Sequence, residues 1–157
     1  MKPLTQHLQI MLIKLEHPAC MPTRSNPTDA GLDLRCKQTI TLQMGKRTLV
    51  PTGVSVKIPV NHVGLLFPRS SLSKQGITMT NSVGVIDSDY RGEIMASLMF
   101  NGVPGNLSEL DLPAGERIVQ LVVVPIAIPM LEVGNWSDEI WNDTQRGTGG
   151  FGSTGKA

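Results

Sequence analysis

The sequence predicts an all-β fold, a single barrel or jelly-roll-like sandwich that ends in a flexible glycine-rich tail. Three observations predict it. Glycine (16) and proline (11) are abundant among 157 residues and punctuate the chain at short intervals. Few windows carry the 3.6-residue apolar period of an amphipathic helix, whereas alternation of apolar and polar residues recurs. The apolar runs are short, rich in β-branched residues and bounded by Gly, Pro, Asn, Asp or Ser, as expected of strands joined by tight turns. Hydrophobic residues make up 40 % of the chain, enough at this length for one real core.

In chain order, residues 1–9 form a lead-in, into which a first strand, Leu8 to Leu15, extends. Glu16 to Asp29 is a loop rich in Pro, Thr, Ser and Asn, long enough for a surface excursion or a functional role. Ala30 to Lys37 alternates, with Leu32 and Leu34 on one face and Asp33 and Arg35 on the other. Thr39 to Gln43 alternates again. Leu49 to Pro59 reads as one strand, with Pro51 demoting its start to an edge or a bend. Val63 to Phe67 is a buried strand that opens onto Pro68-Arg69-Ser70-Ser71, and Ser71 to Gln75 suits one helical turn capped by serine. Asn81 to Ile94 reads as a β-hairpin. Asn101-Gly102 marks a turn, Leu110 to Gly115 a loop, and Glu116 to Val124 a strand buried on both faces with Gln120 as its polar exception. From Gly134 the apolar pattern fades. No internal repeat or linker divides the chain, so 1–157 is expected to be one domain, with 134–157 as a C-terminal arm and tail.

Composition narrows the function. The formal net charge is +1 and no dense basic run exists, so nucleic acid is not an expected partner. The longest apolar run, Ile118 to Leu131, is interrupted by Gln120, Pro125 and Pro129 and is too short to span a membrane; no secretory leader is apparent. Two cysteines, Cys20 and Cys36, make no disulfide framework and suit apolar filling in a reduced cytoplasmic setting. His7, His17 and His62 lack zinc-ligand spacing, no G-x-S-x-G elbow exists, and Trp136 and Trp141 are expected to pack the C-terminal segment.

Four places concentrate chemistry. The hairpin tip carries Asp87, Ser88, Asp89, the only tyrosine (Tyr90), Arg91 and Gly92. It is either a solvated turn or a functional loop held on a rigid scaffold. Arg69-Ser70-Ser71 offers a guanidinium, two hydroxyls and the first N–H groups of a helical turn, a phosphate cradle unless it is only a helix cap with a solvated arginine. Asp33 is either solvated or helps to hold Mg²⁺, directly or through water. Gln120 must find hydrogen bonds, in the structure or to a water in a site. The tail adds a fifth candidate. Gly150 to Lys156 fits G-x-x-x-x-G-K, but Ala157 stands where Ser or Thr should hold a metal and no strand or helix flanks it, so a Walker loop is rejected. Its glycines, with Arg146, Ser153 and Thr154, suit an anion, and Phe151 suits stacking on a planar ligand, in a tail that closes over it.

Together these segments resemble the trimeric deoxyuridine triphosphate nucleotidohydrolases, the dUTPases. The resemblance rests on five stretches in order: Asp29-Ala30-Gly31-Leu32-Asp33-Leu34; Pro68-Arg69-Ser70-Ser71-Leu72; Asn81 to Glu93; Gly115-Glu116-Arg117-Ile118-Val119-Gln120-Leu121; and Arg146 to Gly155. It implies a jelly-roll-like β-barrel homotrimer with three shared sites, each taking phosphate ligands from one subunit, the uracil hairpin from a second and the tail from a third. The implied reaction is dUTP plus water to dUMP plus pyrophosphate, with Mg²⁺ chelated by the triphosphate, in the cytoplasm or, for a viral member, the host cytoplasm or nucleus. It would keep uracil out of DNA and supply dUMP for thymidylate synthesis. Asp87 matches the carboxylate that activates the attacking water. Asn81 and the backbone of Gly84, Val85 and Ile86 match the uracil-reading groups, with Met95 lining the site and Tyr90 beneath the deoxyribose. Arg69, Ser70 and Ser71 match phosphate ligands, Gln120 a water-holding residue and Asp33 a carboxylate near the metal, acting through water. Arg146, Phe151, Gly152, Ser153 and Thr154 match the closing tail. Ser71 departs from the pattern, standing where many members have Gly. Two alternatives accompany the resemblance: a dCTP deaminase, with or without dUTP cleavage, on the same fold, and a nucleotide-sensing regulatory module.

Overall fold

The computed structural model describes residues 10–102, 107–145 and 147–149. The chain forms two compact units, Met1–Ala127 and Ile128–Ala157. The first carries eleven described strands: β1 (Leu12–Leu15), β2 (Leu32–Arg35), β3 (Ile40–Gln43), β4 (Arg47–Pro51), β5 (Val54–Lys57), β6 (His62–Pro68), β7 (Ile77–Met79), β8 (Gly84–Ile86), β9 (Met95–Phe100), β10 (Glu109–Leu112) and β11 (Arg117–Pro125). One short helix, α1 (Ser70–Lys74), follows β6. Strand pairing is antiparallel, in the orders β2-β11-β6-β8, β4-β9-β7, β1-β5 and β10-β3. This is the expected all-β, jelly-roll-like fold.

Alternation does what period-two patterning demands. In β9, Ala96, Leu98 and Phe100 are all fully buried, while the residues between them face outward to varying degrees. They meet Leu34, Leu66 and Leu121 from the β2-β11-β6 side in one continuous apolar core. Burial of this kind, at roughly 25 cal/mol per Å², is the main stabilising term. Cys20 and Cys36 are free and buried, the filler role expected of them. Burial pushes the Cys36 thiol up from its ordinary value, and its Sγ–H donates to the Gln38 carbonyl at 2.8 Å.

Five expectations are corrected. Leu49 to Pro59 is two strands, β4 and β5, broken at Thr52-Gly53. Gly53 has φ +68°, and a Cβ there would stand 3.2 Å from Cβ of Cys20, so only glycine makes the corner. Thr52 is buried at the same corner, its hydroxyl donating to the Ile94 carbonyl at 2.7 Å. Residues 110–112, expected in a loop, belong to β10, which pairs with β3 and turns Leu112 into the core while Glu109 and Asp111 face out. The helical turn starts one residue early, and its N-cap is Arg69 with no side-chain cap, so no serine caps it. Ser73 instead donates back to the Ser70 carbonyl at 2.7 Å. The expected hairpin is not one: β8 pairs with β6, whereas β9 pairs with β4 and β7, so residues 87–94 carry the chain from one sheet to another. Finally, β1 begins at Leu12; Leu8 and Gln9 lie outside the described residues.

In the second unit, α2 (Asp138–Trp141) is a single turn. Trp136 lies over Gly134 but is 39 % exposed, and Trp141 is 70 % exposed, so neither tryptophan is buried as the expected packing of this segment would require. No described helix is long and apolar enough to cross a membrane.

Candidate active site

Two depressions in the first unit collect the chemistry-bearing residues. The first, of about 340 Å³, is polar and is lined by Ser25, Asp29, Ala30, Gly31, Asp33, Arg69, Ser70 and Gln120. Its floor is set by strand register: Gln120 of β11 stands opposite Asp33 of β2 on one side and Phe67, near the end of β6, on the other. Arg69 and Ser70 follow directly where β6 gives way to α1. Gly31 admits Gln120: a Cβ at Gly31 would lie 2.7 Å from the Gln120 Oε1.

Asp33 is not the solvated strand residue that its alternation suggests. It is only 8 % exposed. Arg69 Nε reaches its Oδ1 at 3.0 Å and an Arg117 terminal nitrogen its Oδ2 at 3.0 Å. A buried carboxylate needs such partners, because an unpaired buried charge is expensive. The same Arg117 nitrogen donates to Ser25 Oγ at 3.1 Å. The two terminal nitrogens of Arg69 have no partner among the described residues.

The second depression, of about 250 Å³, is lined by Val85, Ile86, Asp87, Tyr90, Glu93, Ile94 and Met95. It lies where the chain passes between sheets. β8 is the last strand of its sheet, so one of its edges has no strand partner among the described residues, and alternate residues on that edge present N–H and C=O groups outward. The Asp87 side chain is exposed and has no hydrogen-bond or ion-pair partner among the described residues. Its backbone carbonyl accepts from Tyr90 N–H at 3.1 Å, which closes a tight turn. Tyr90 folds back over Gly92, and its hydroxyl donates to the Glu93 carbonyl at 2.9 Å.

The return of this loop is bolted to the β4–β5 corner. Glu93 Oε1 accepts the Gly53 N–H at 2.6 Å, and Ile94 N–H donates to the Val54 carbonyl at 2.8 Å. Lys37 lies 3.6 Å from Glu93 and 2.6 Å from Glu16. The hydrogen bond between Lys37 and Glu16 holds the Lys37 ammonium above its ordinary range and the Glu16 carboxyl below its own. The pair is solvent-exposed, so its effect is screened by salt.

Most sequence-predicted site residues fall in these two places. Asp33, Arg69, Ser70 and Gln120 line the polar depression, and Val85, Ile86, Asp87, Tyr90 and Met95 the other. Three line neither. Ser71 is half-buried in the first turn of α1, Asn81 is exposed on the turn before β8, and Gly84 is buried, where a Cβ would meet Leu66 at 3.0 Å and Met79 at 3.3 Å. Arg146, Phe151, Gly152, Ser153 and Thr154 lie outside the described residues. Sequence reasoning gave no individual role to Ser25, Asp29, Gly31, Glu93 and Arg117, although all but Ser25 stand in the quoted stretches; for Ser25 the unusual length of the 16–29 loop was the available signal. The two depressions share no lining residue.

The donor set limits how a metal is held. The described residues contain no group of three or more His, Cys, Asp or Glu able to hold an ion. Asp33 has both oxygens engaged by guanidinium groups. These residues suit a hard ion that arrives with its own oxygen ligands and keeps several waters, as Mg²⁺ does on a polyphosphate.

The comparisons agree with this geometry. The family model for dUTPase matches residues 17–155. The deoxyuridine 5'-triphosphate nucleotidohydrolase of Rhodococcus erythropolis is 41 % identical over 153 residues, which cover 97 % of this chain and 89 % of the relative. That of Cutibacterium acnes is 45 % identical over 139 residues, 88 % of this chain and 87 % of the relative. Among solved structures, a mutant dUTPase of Staphylococcus bacteriophage 80alpha with dUpNHpp superposes with a TM-score of 0.82 at 27 % identity, covering 94 % of this chain and 99 % of the phage chain. A mutant dUTPase from phage phi11 of S. aureus, described with a coordinated structural Mg(II) ion, gives 0.74 at 25 % identity, covering 83 % of this chain and 99 % of its own. The chain belongs to the dUTPase family.

Proposed function

We propose that this dUTP diphosphatase converts dUTP to dUMP and pyrophosphate by attack of a water held by Asp87 on the α-phosphate. The observation that carries the reading is Asp87 itself: an exposed carboxylate with no partner among the described residues, at the rim of a depression edged by the free side of β8. The contribution of Asp87 is to orient the water and accept its proton as the bond to phosphorus forms. Uracil offers two acceptors flanking one N–H, which complement the outward groups of a strand edge. Cytosine reverses part of that pattern, and sites that leave buried polar groups unpaired reject analogues by up to ~10⁴-fold. Tyr90 lies against the sugar and leaves no room for a 2′-hydroxyl.

In this reading Arg69, Ser70 and Ser71 bind the phosphates, Gln120 holds a water, and Asp33 meets a phosphate-borne Mg²⁺ through water. The ion, when bound, supplies charge neutralisation on the pyrophosphate leaving group. In the same reading the site is completed between copies of the chain, in a homotrimer, with Arg146, Phe151, Gly152, Ser153 and Thr154 closing it. Exposed apolar residues of the second unit, Met130 and Val133 at 97 % each, support burial against another copy. Such an enzyme would work in the cytoplasm, limiting uracil in DNA and supplying dUMP.

The deciding experiment is a nucleotide panel scored for pyrophosphate. Release from dUTP with Mg²⁺, and not from dTTP, dCTP or UTP at comparable rates, is expected; no release from dUTP would refute the reading, and ammonia from dCTP would favour a deaminase. A sharper test concerns the sugar. A Cβ at residue 92 would fall 2.6 Å from Cζ of Tyr90, so Gly92→Ala must displace the ring. The ratio of kcat/KM for dUTP over UTP is expected to fall at least about tenfold, mainly through better use of UTP.

A further inference from the structure

Arg117 reaches the polar depression because of a break in strand periodicity. It stands three residues before Gln120, an odd spacing that puts side chains on opposite faces of a regular strand. Against β2, however, β11 carries a bulge. Arg117 stands opposite Arg35, Val119 opposite Leu34 and Gln120 opposite Asp33, with the register shift between Arg117 and Val119. Arg35 and Asp33 are two apart and share a face. The extra residue, Ile118, therefore turns Arg117 to the face of Asp33 and Gln120. Ile118 and Val119 are consecutive and both fully buried, as the bulge requires.

The consequence is electrostatic. A buried carboxylate facing Arg69 alone would cancel the charge that should meet a polyphosphate. Here Asp33 divides its two oxygens between Arg69 and Arg117, so Arg69 is not left to neutralise it alone. Arg69 is also fixed through Nε only, leaving its terminal nitrogens available for a planar, forked contact with phosphate oxygens. Through Ser25, Arg117 ties down the loop that brings Ser25 and Asp29 to the depression.

We propose that Arg117 is a positioning residue for the triphosphate: it shares Asp33 with Arg69 and aims the Arg69 guanidinium at the depression. The proposal rests on the dUTPase reading, and its test separates the two. Binding of dUpNHpp and of dUMP, with Mg²⁺ present, is measured by calorimetry for the wild type, Arg117→Gln, Arg117→Lys and Ser25→Ala, together with dUTP kinetics. Arg117→Gln should weaken dUpNHpp by about tenfold or more and raise KM while dUMP affinity stays within about twofold, because the lost charge-assisted contact serves only the β- and γ-phosphates. Arg117→Lys should recover part of the loss, since an ammonium can pair with Asp33 but sits on a shorter side chain without the planar guanidinium. Ser25→Ala, in an exposed loop, should shift dUpNHpp in the same direction by less. A wild type that neither binds dUpNHpp nor cleaves dUTP overturns the nucleotide reading and this proposal with it. A competent wild type whose Arg117→Gln and Ser25→Ala titrations overlay its own, or that lose dUMP and dUpNHpp equally, overturns the role of Arg117 alone.

Discussion

Asp87→Asn is expected to lower kcat on dUTP by ~10²–10⁴-fold, the span typical of a lost general base, and to leave binding of dUpNHpp nearly unchanged. The substitution is close to isosteric. The Asp87 side chain holds no structural partner among the described residues, so nothing in the fold depends on its charge. The Tyr90 N–H bond goes to the backbone carbonyl of residue 87 and survives the change. An amide can still contact a water but cannot take its proton. Single-turnover assays alongside calorimetry check this; turnover at the wild-type rate would remove Asp87 from the mechanism.

Deleting residues 146–157 is expected to lower kcat at least about a hundredfold without unfolding the protein. The reason lies in the shape of the base depression. It holds about 250 Å³ and four of its lining residues, Val85, Asp87, Tyr90 and Met95, are exposed. Small-molecule sites usually enclose most of their ligand, so catalysis here calls for a cover, which we assign to the tail with Phe151 stacked on the uracil. Among the described residues, none of the buried core lies beyond Leu121, so thermal melting of the truncated chain should match that of the full chain. A truncated protein with normal kcat would show that the site closes without the tail.

How far the sequence could be read depended on whether the deciding contacts were local. Period-two burial in β9 was legible because alternation is local, and β11 was legible as a strand from its β-branched run, although only Ile118, Val119 and Leu121 of it are buried. The β4–β5 break was not, since Val50, Val54 and Val56 keep an even spacing across the corner and only Gly53, with its positive φ and its contact with Cys20, betrays the turn. The partner of β8 was illegible for a different reason. Two apolar runs around a polar tip describe a hairpin equally well, and the choice of β6 is made by non-local packing, including the close approach of Gly84 to Leu66. Asp87, Tyr90, Arg69 and Gln120 were legible because each is a polar group at a place where alternation or a turn exposes it. Arg117 was hidden by its parity, and Asp33 was misjudged because its two arginines come from elements far along the chain.

The free edge of β8 has a consequence for how this enzyme can change. If the base is read there, the donors and acceptors belong to the main chain, and every residue other than proline supplies the same pair. Single-codon substitutions can then reshape the walls of the pocket but cannot rewrite its hydrogen-bonding code. Preference for uracil would outlast drift in Val85 and Ile86, and would be lost only through a proline, an insertion or a deletion in the edge itself.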